Sequence, residues 1–218
     1  EASNSHYDAI PDVVEHYLGE ISKITGREYH CFSYYGAEDA ENIIILMGSA
    51  TEAAREAIDY LTSEGKKVGM ISVHLYRPFS VKHLFAAVPK TVKKIAVLDR
   101  TKEPGAEGEP LYLDVKSAFY DQENRPVIVG GRYGLGSSDI TPAKIISVYN
   151  NLELPEPKNH FTVGIIDDVT FTSLPAVEEM ALGGKSIYEA KFFGLGADGT
   201  VGANKNSVKI IGDNTNKY

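Results

Sequence analysis

Four short apolar runs, each ended by glycine, proline or charge and separated from the next by a helical stretch, constrain the fold more than any other feature. They are residues 43–47, 68–75, 95–98 and 127–129. Runs with no polar alternation suit strands buried on both faces of a sheet. Between them, Ser49 and Thr51 can cap a helix over residues 52–62 that Gly65 closes, and Ser80 can cap a short helix through Val88 that Pro89 ends. Residues 111–121 read as another helix, and Thr141-Pro142 opens one running to about Asn150. Repeated βα units predict an α/β fold, a parallel sheet flanked by helices in a Rossmann-like three-layer arrangement.

The flanks read differently. Residues 8–25 place apolar side chains at helical spacing, with Gly26 just past the end, and residues 29–36 are aromatic-rich. Residues 1–40 are therefore an N-terminal helix and entry segment, and residues 41–154 the α/β domain. Pro155 and Pro157 favour an extended linker over 155–160. A second unit follows over 161–218, with strands expected at 161–166 and 188–193, a turn at Gly183-Gly184 and a helix over 203–211. Two strands and one helix do not close a core. This stretch reads as the truncated opening of a further, partial α/β unit.

Composition narrows the partners. A net charge of −8 argues against a nucleic-acid or anionic-membrane surface. The longest apolar run, residues 43–48, is far short of the roughly 20 residues of a membrane helix, and no secretory signal opens the chain. A single cysteine, Cys31, excludes an internal disulfide and suits a reducing, cytoplasmic setting. It also cannot supply the roughly four thiolates of a [4Fe-4S] cluster.

Three loops could carry chemistry. Gly194-x-Gly196-x-x-Gly199 precedes the last expected helix and reads either as a phosphate cradle or as a tight turn. Residues 99–109 are dense in carboxylates and cations, fit for a charged ligand or for salt bridges to a neighbouring domain. Residues 130–136 could cradle an anion near Arg132 or let two backbones approach. Elsewhere the signals are weak. Ser49 and Ser80 are explained by capping, and the six histidines are scattered. Cys31 beside His30 reads as a buried thiol, and Asp167-Asp168 as a solvated strand end rather than a magnesium site.

Gly48-Ser49-Ala50-Thr51-Glu52, Tyr76-Arg77-Pro78-Phe79, residues 99–112 and residues 130–142, in that order, resemble the second domain of pyruvate:ferredoxin (flavodoxin) oxidoreductase. The resemblance runs through nearly the whole chain. It implies a domain like the carboxyl-terminal domain of transketolases, a scaffold with no catalytic residue of its own. Arg100, Lys102, Glu103 and Arg132 would then make interdomain contacts. The family oxidatively decarboxylates pyruvate to acetyl-coenzyme A using thiamine diphosphate, Mg2+, three [4Fe-4S] clusters and coenzyme A. No cofactor is expected within this stretch itself. Residues 194–207 resemble the start of the third domain, which implies Gly199, Thr200, Asn204 and Lys205 as contacts for the coenzyme or the thiamine site. Implied partners are the other domains, a second copy in a homodimer, and ferredoxin or flavodoxin. On the residues alone, a free-standing nucleotide- or coenzyme-binding module stays open.

Overall fold

The computed structural model describes residues 1–179 and 190–216. They fall into two compact units, Glu1–Leu182 and Gly183–Tyr218. The first unit holds a six-stranded sheet. Its strands are β1 (Phe32–Gly36), β2 (Asn42–Leu46), β3 (Val68–Val73), β4 (Lys94–Asp99), β5 (Val127–Arg132) and β6 (Phe161–Thr162), in the order β1-β3-β2-β4-β5-β6. The pairs from β3 to β6 are all parallel.

The four apolar runs form the central strands because only a sheet covered on both faces hides them from water. On one face α2 (Ala50–Ser63) and α5 (Pro142–Glu153) pack Ala54, Ile58, Ile145 and Tyr149 against Ile44, Met70, Ala96 and Val129. On the other, α3 (Val81–Ala87) and α4 (Pro110–Ala118) bring Leu84, Leu111 and Val115 to Ile43, Ile45, Ile71 and Val97. Residues 43–45 alternate between these two cores, as the two-residue period of a strand requires. Several local signals hold: Ser80 Oγ accepts from the His83 amide, Thr141 Oγ1 from the Lys144 amide, and Gly26 ends α1 (Asn4–Thr25) at φ 70°, whereas Ser49 stands at the start of α2 without a side-chain cap bond and Thr51 gives its hydroxyl to the Gly48 carbonyl. Helix α1 lays Val14 and Leu18 on the second core.

Three sequence expectations change. The aromatic entry segment contains β1, which pairs antiparallel with β3 and makes the sheet mixed. The proline stretch at 155–160 does not begin a new unit, because the chain behind it adds β6 to the same sheet and compact unit. Asn151 holds that passage, its side chain donating to the Lys158 carbonyl and accepting from the Lys158 amide. The strand expected over 161–166 stops at Thr162, as Gly164 turns the backbone at φ 68°.

In the second unit, α6 (Thr200–Asn214) is the one regular element among the described residues. Residues 190–193 have no strand conformation, while the expected Gly183-Gly184 turn and the rest of the expected strand lie outside the described residues.

Candidate functional site

The site lies where β2, β4 and β5 end. Strand β2 leads to β3 on one side and β4 sits on the other, so their carboxyl ends form the switch point at which open α/β sheets leave a crevice. A cleft of about 320 Å3 opens there, between Met47, Gly48 and Ser49 after β2 and Leu98, Asp99 and Arg100 at the end of β4. Tyr133 closes one wall, its hydroxyl donating to the Met47 carbonyl at 3.3 Å.

Asp99 organises the edge. It is buried, and its two carboxylate oxygens accept the Leu111 and Tyr112 amides, each at 3.0 Å. Pro110, at the first turn of α4, has no amide to satisfy, so Asp99 caps the helix from across its own loop. Burial pushes the Asp99 carboxyl above its ordinary value, against the opposing pull of the two amides.

Beside it, Glu109 is 2% exposed and takes Arg132 Nη1 on Oε1 at 3.3 Å, while Arg132 Nη2 donates to the His160 carbonyl at 3.3 Å. Glu109 Oε2 has no partner among the described residues. Gly130 and Gly131 belong to β5 rather than to a loop. A Cβ at Gly130 would lie 2.8 Å from Tyr112 Cγ, and one at Gly131 would overlap the Phe161 ring. These glycines exist for close packing, and the Gly130 amide is taken by Asn159 Oδ1 at 2.7 Å. Arg132, the side-chain cation expected to draw an anion to 130–136, is committed to Glu109 and the His160 carbonyl.

The other sequence candidates are placed as follows. Arg100 Nε donates to the Gly134 carbonyl at 3.2 Å and ties the β4 and β5 loops together. Lys102 and Glu103 are exposed in the loop that Gly105 turns at φ 81°. Gly199 starts α6 at φ 85°. Thr200 gives both its amide and its hydroxyl to Asp198, which also takes the Leu195 amide, so an internal carboxylate fills the position a phosphate would need. Asn204 and Lys205 are exposed on α6 and have no side-chain partner among the described residues. Asp167 is filled by the amides of Val169, Thr170 and Thr172 and two threonine hydroxyls, and turns its own loop. Cys31 is fully buried, and burial with Glu15 nearby pushes its thiol up to about 12.

Asp99 is spent as a cap, and burial with Asp114 beside it pushes the Tyr76 phenol up to about 12. The roles of Asp99 and Glu109 escaped sequence reading. An Asp ending a strand, with proline opening the helix after the next loop, is the signal that could have revealed the cap.

Residues 40–145 match the family model described as pyruvate:ferredoxin oxidoreductase core domain II. The chain is 59% identical over 219 residues to a pyruvate-flavodoxin oxidoreductase of Enterobacter agglomerans, a match covering 100% of this chain and 19% of that protein. It is 52% identical over 218 residues to the pyruvate:ferredoxin oxidoreductase of Moorella thermoacetica, with the same coverage of each. Among solved structures it is similar to a 2-oxoglutarate:ferredoxin oxidoreductase from Magnetococcus marinus, at 25% identity and TM-score 0.43 over 56% of this chain and 19% of that one. The chain thus spans about a fifth of the length of the curated relatives it matches.

Proposed function

Since residues 40–145 belong to the core domain II family of pyruvate:ferredoxin oxidoreductases, we propose that this chain is a scaffold region within such an enzyme. The whole enzyme would decarboxylate pyruvate oxidatively with coenzyme A, giving acetyl-coenzyme A and carbon dioxide, and pass electrons to ferredoxin or flavodoxin. The observation that carries this reading is an end-to-end match at 59% identity to one stretch of a pyruvate-flavodoxin oxidoreductase. The carboxyl edge of the sheet fits a structural role, because Asp99 and Arg100 are held by backbone groups and Arg132 pairs with Glu109.

The cofactors of such an enzyme divide unequally. A [4Fe-4S] cluster takes about four thiolates, and the one cysteine here is buried and protonated, so the clusters do not fit this region. We assign Mg2+ and thiamine diphosphate to other parts of the polypeptide, in keeping with the scaffold reading. For coenzyme A, the free side chains of Asn204 and Lys205 are the stronger contacts. Gly199 and Thr200 join them only if the arriving phosphate displaces Asp198. Lys102 and Glu103, exposed at the sheet edge, are the interdomain contacts, with Arg100 and Arg132 holding that edge in shape. We place the enzyme in the cytoplasm as a homodimer. No helix among the described residues is long and apolar enough to cross a membrane.

The pure 218-residue chain, supplied with thiamine diphosphate, Mg2+ and coenzyme A, should show no pyruvate-dependent dye reduction, whereas the longer polypeptide containing it should. Turnover by the chain alone would overturn the scaffold reading. In the longer enzyme, Lys205→Ala should raise KM for coenzyme A and leave kcat unchanged. An unaltered KM would give Lys205 a purely structural role.

A further inference from the structure

A larger cleft, about 640 Å3, lies between the start of α2 and the β1–β3 pair, away from the residues considered above. The ladder sets Ser33 directly opposite Ser72. Tyr35, two residues beyond Ser33 on β1, shares its face, and His74 follows Ser72 in the same way. From α2, Thr51 and Arg55 line the same cleft one helical turn apart.

The wall is built from donors. The Arg55 guanidinium lies over the Tyr35 ring, 4.4 Å from its centroid, and the ring fixes its position while leaving its N–H edge available. Its nearest carboxylate, Glu52, stands 4.0 Å away on a side chain that is 80% exposed. Ser72 is 4% exposed, yet its hydroxyl has no hydrogen-bond partner among the described residues. The hydroxyl is not sealed from solvent and opens onto the cleft that Ser72 lines. Ser33 Oγ accepts the His30 amide at 3.3 Å and keeps its own proton to give. The side chains of Arg27 and His74 are unpartnered among the described residues. Four carboxylates are near: Glu28 and Glu52 are exposed on the rim, Glu15 is spent on His30 and the Cys31 amide, and Asp59 accepts the Tyr35 hydroxyl. Burial first, then the neighbouring Arg55 and His30, lower the His74 pKa and favour its neutral ring.

We propose that this cleft binds a small multivalent oxyanion, a phosphate ester or diphosphate, with Arg55 and Ser72 as its main contacts and the His74 ring beside them, which takes up a proton as the anion binds. A planar guanidinium held on a ring matches two oxygens of such a group, and the serine hydroxyls take the others. This inference is independent of the scaffold reading.

Calorimetric titration of the 218-residue chain with inorganic pyrophosphate, just below neutral pH and at fixed ionic strength, tests it. Saturable binding is expected, weakened about tenfold or more by Arg55→Gln and by a smaller factor by Ser72→Ala, in line with loss of charge-assisted and neutral hydrogen bonds. Saturation should also raise the His74 pKa, read from its ring carbon shifts. Thermal melts check that each variant folds, and if Arg55→Gln does not, Ser72→Ala carries the comparison. Absence of saturable binding overturns the proposal. So does binding that both variants leave unchanged, or a His74 response that chloride reproduces at matched ionic strength.

Discussion

Gly131→Ala tests the claim that the glycines of β5 are there for packing and not for a ligand. A Cβ at this position would lie 2.7 Å from Phe161 Cδ2 and nearer still to Cε2 and Cζ. Ordinary contact begins near 3.4 Å. Phe161 is fully buried in the same core as Val129 and Tyr149, and Gly131 is its partner across the β5–β6 ladder. The ring must therefore move by more than an ångström inside close packing, or leave. Overpacking of this kind costs about 1–3 kcal/mol. For a chain of this length that is a fall in Tm of roughly 3–10 °C, followed by circular dichroism on the 218-residue chain. Phe161→Ala alone should cost about 3–5 kcal/mol through its cavity. The double variant should cost less than the sum, because the new methyl enters the vacated space. Gly19→Ala is the control: it lies inside α1 with nothing within 4 Å of the new Cβ, so it should stabilise by about 0.5–1 kcal/mol. A Gly131→Ala chain that melts with the wild type, or two single costs that simply add, would refute the packing argument.

Two further outcomes concern the carboxylates. Asp99→Ala strands two buried amides and should cost about 2–5 kcal/mol in urea unfolding, with Asp99→Asn recovering part of it through its one carbonyl oxygen. Because burial raises the Asp99 carboxyl above 3.8, its titrating contribution is fully present below that value and declines as pH rises through the folded one. The margin of wild type over Asp99→Asn should accordingly shrink across that window, and a margin that grows with pH would contradict the assignment. Asp198 behaves oppositely. The Thr200 hydroxyl and amide and the Leu195 amide hold it down to about 2, so the 194–200 turn keeps its support above 3.8 and loses it only as pH falls through about 2. The Thr200 amide shift should titrate with that midpoint, and one at 3.8 would mean that Asp198 does not cap α6.

What was legible in the sequence was what short-range physics decides. The buried strands at 43–47, 68–75 and 95–98 announce themselves because unbroken apolar runs have one favourable environment, and Ser80 and Thr141 announce their helices because a cap bonds an amide three residues on. The family order of the loops was legible for the same reason, being written consecutively along the chain. Pairing across the chain was not. Strand β1 exists because β3 offers an edge some forty residues later. Gly130 and Gly131 became strand because the Tyr112 and Phe161 rings arrive from other elements, and Arg132 was claimed by Glu109 only once β5 and the loop before α4 were brought together. The Arg55 and Ser72 cleft was invisible for the same cause, since α2 and β3 each carry half of it. Local composition sets which segments are helix or strand, whereas register and layer packing set which side chains meet, and every site in this protein is made of side chains that meet.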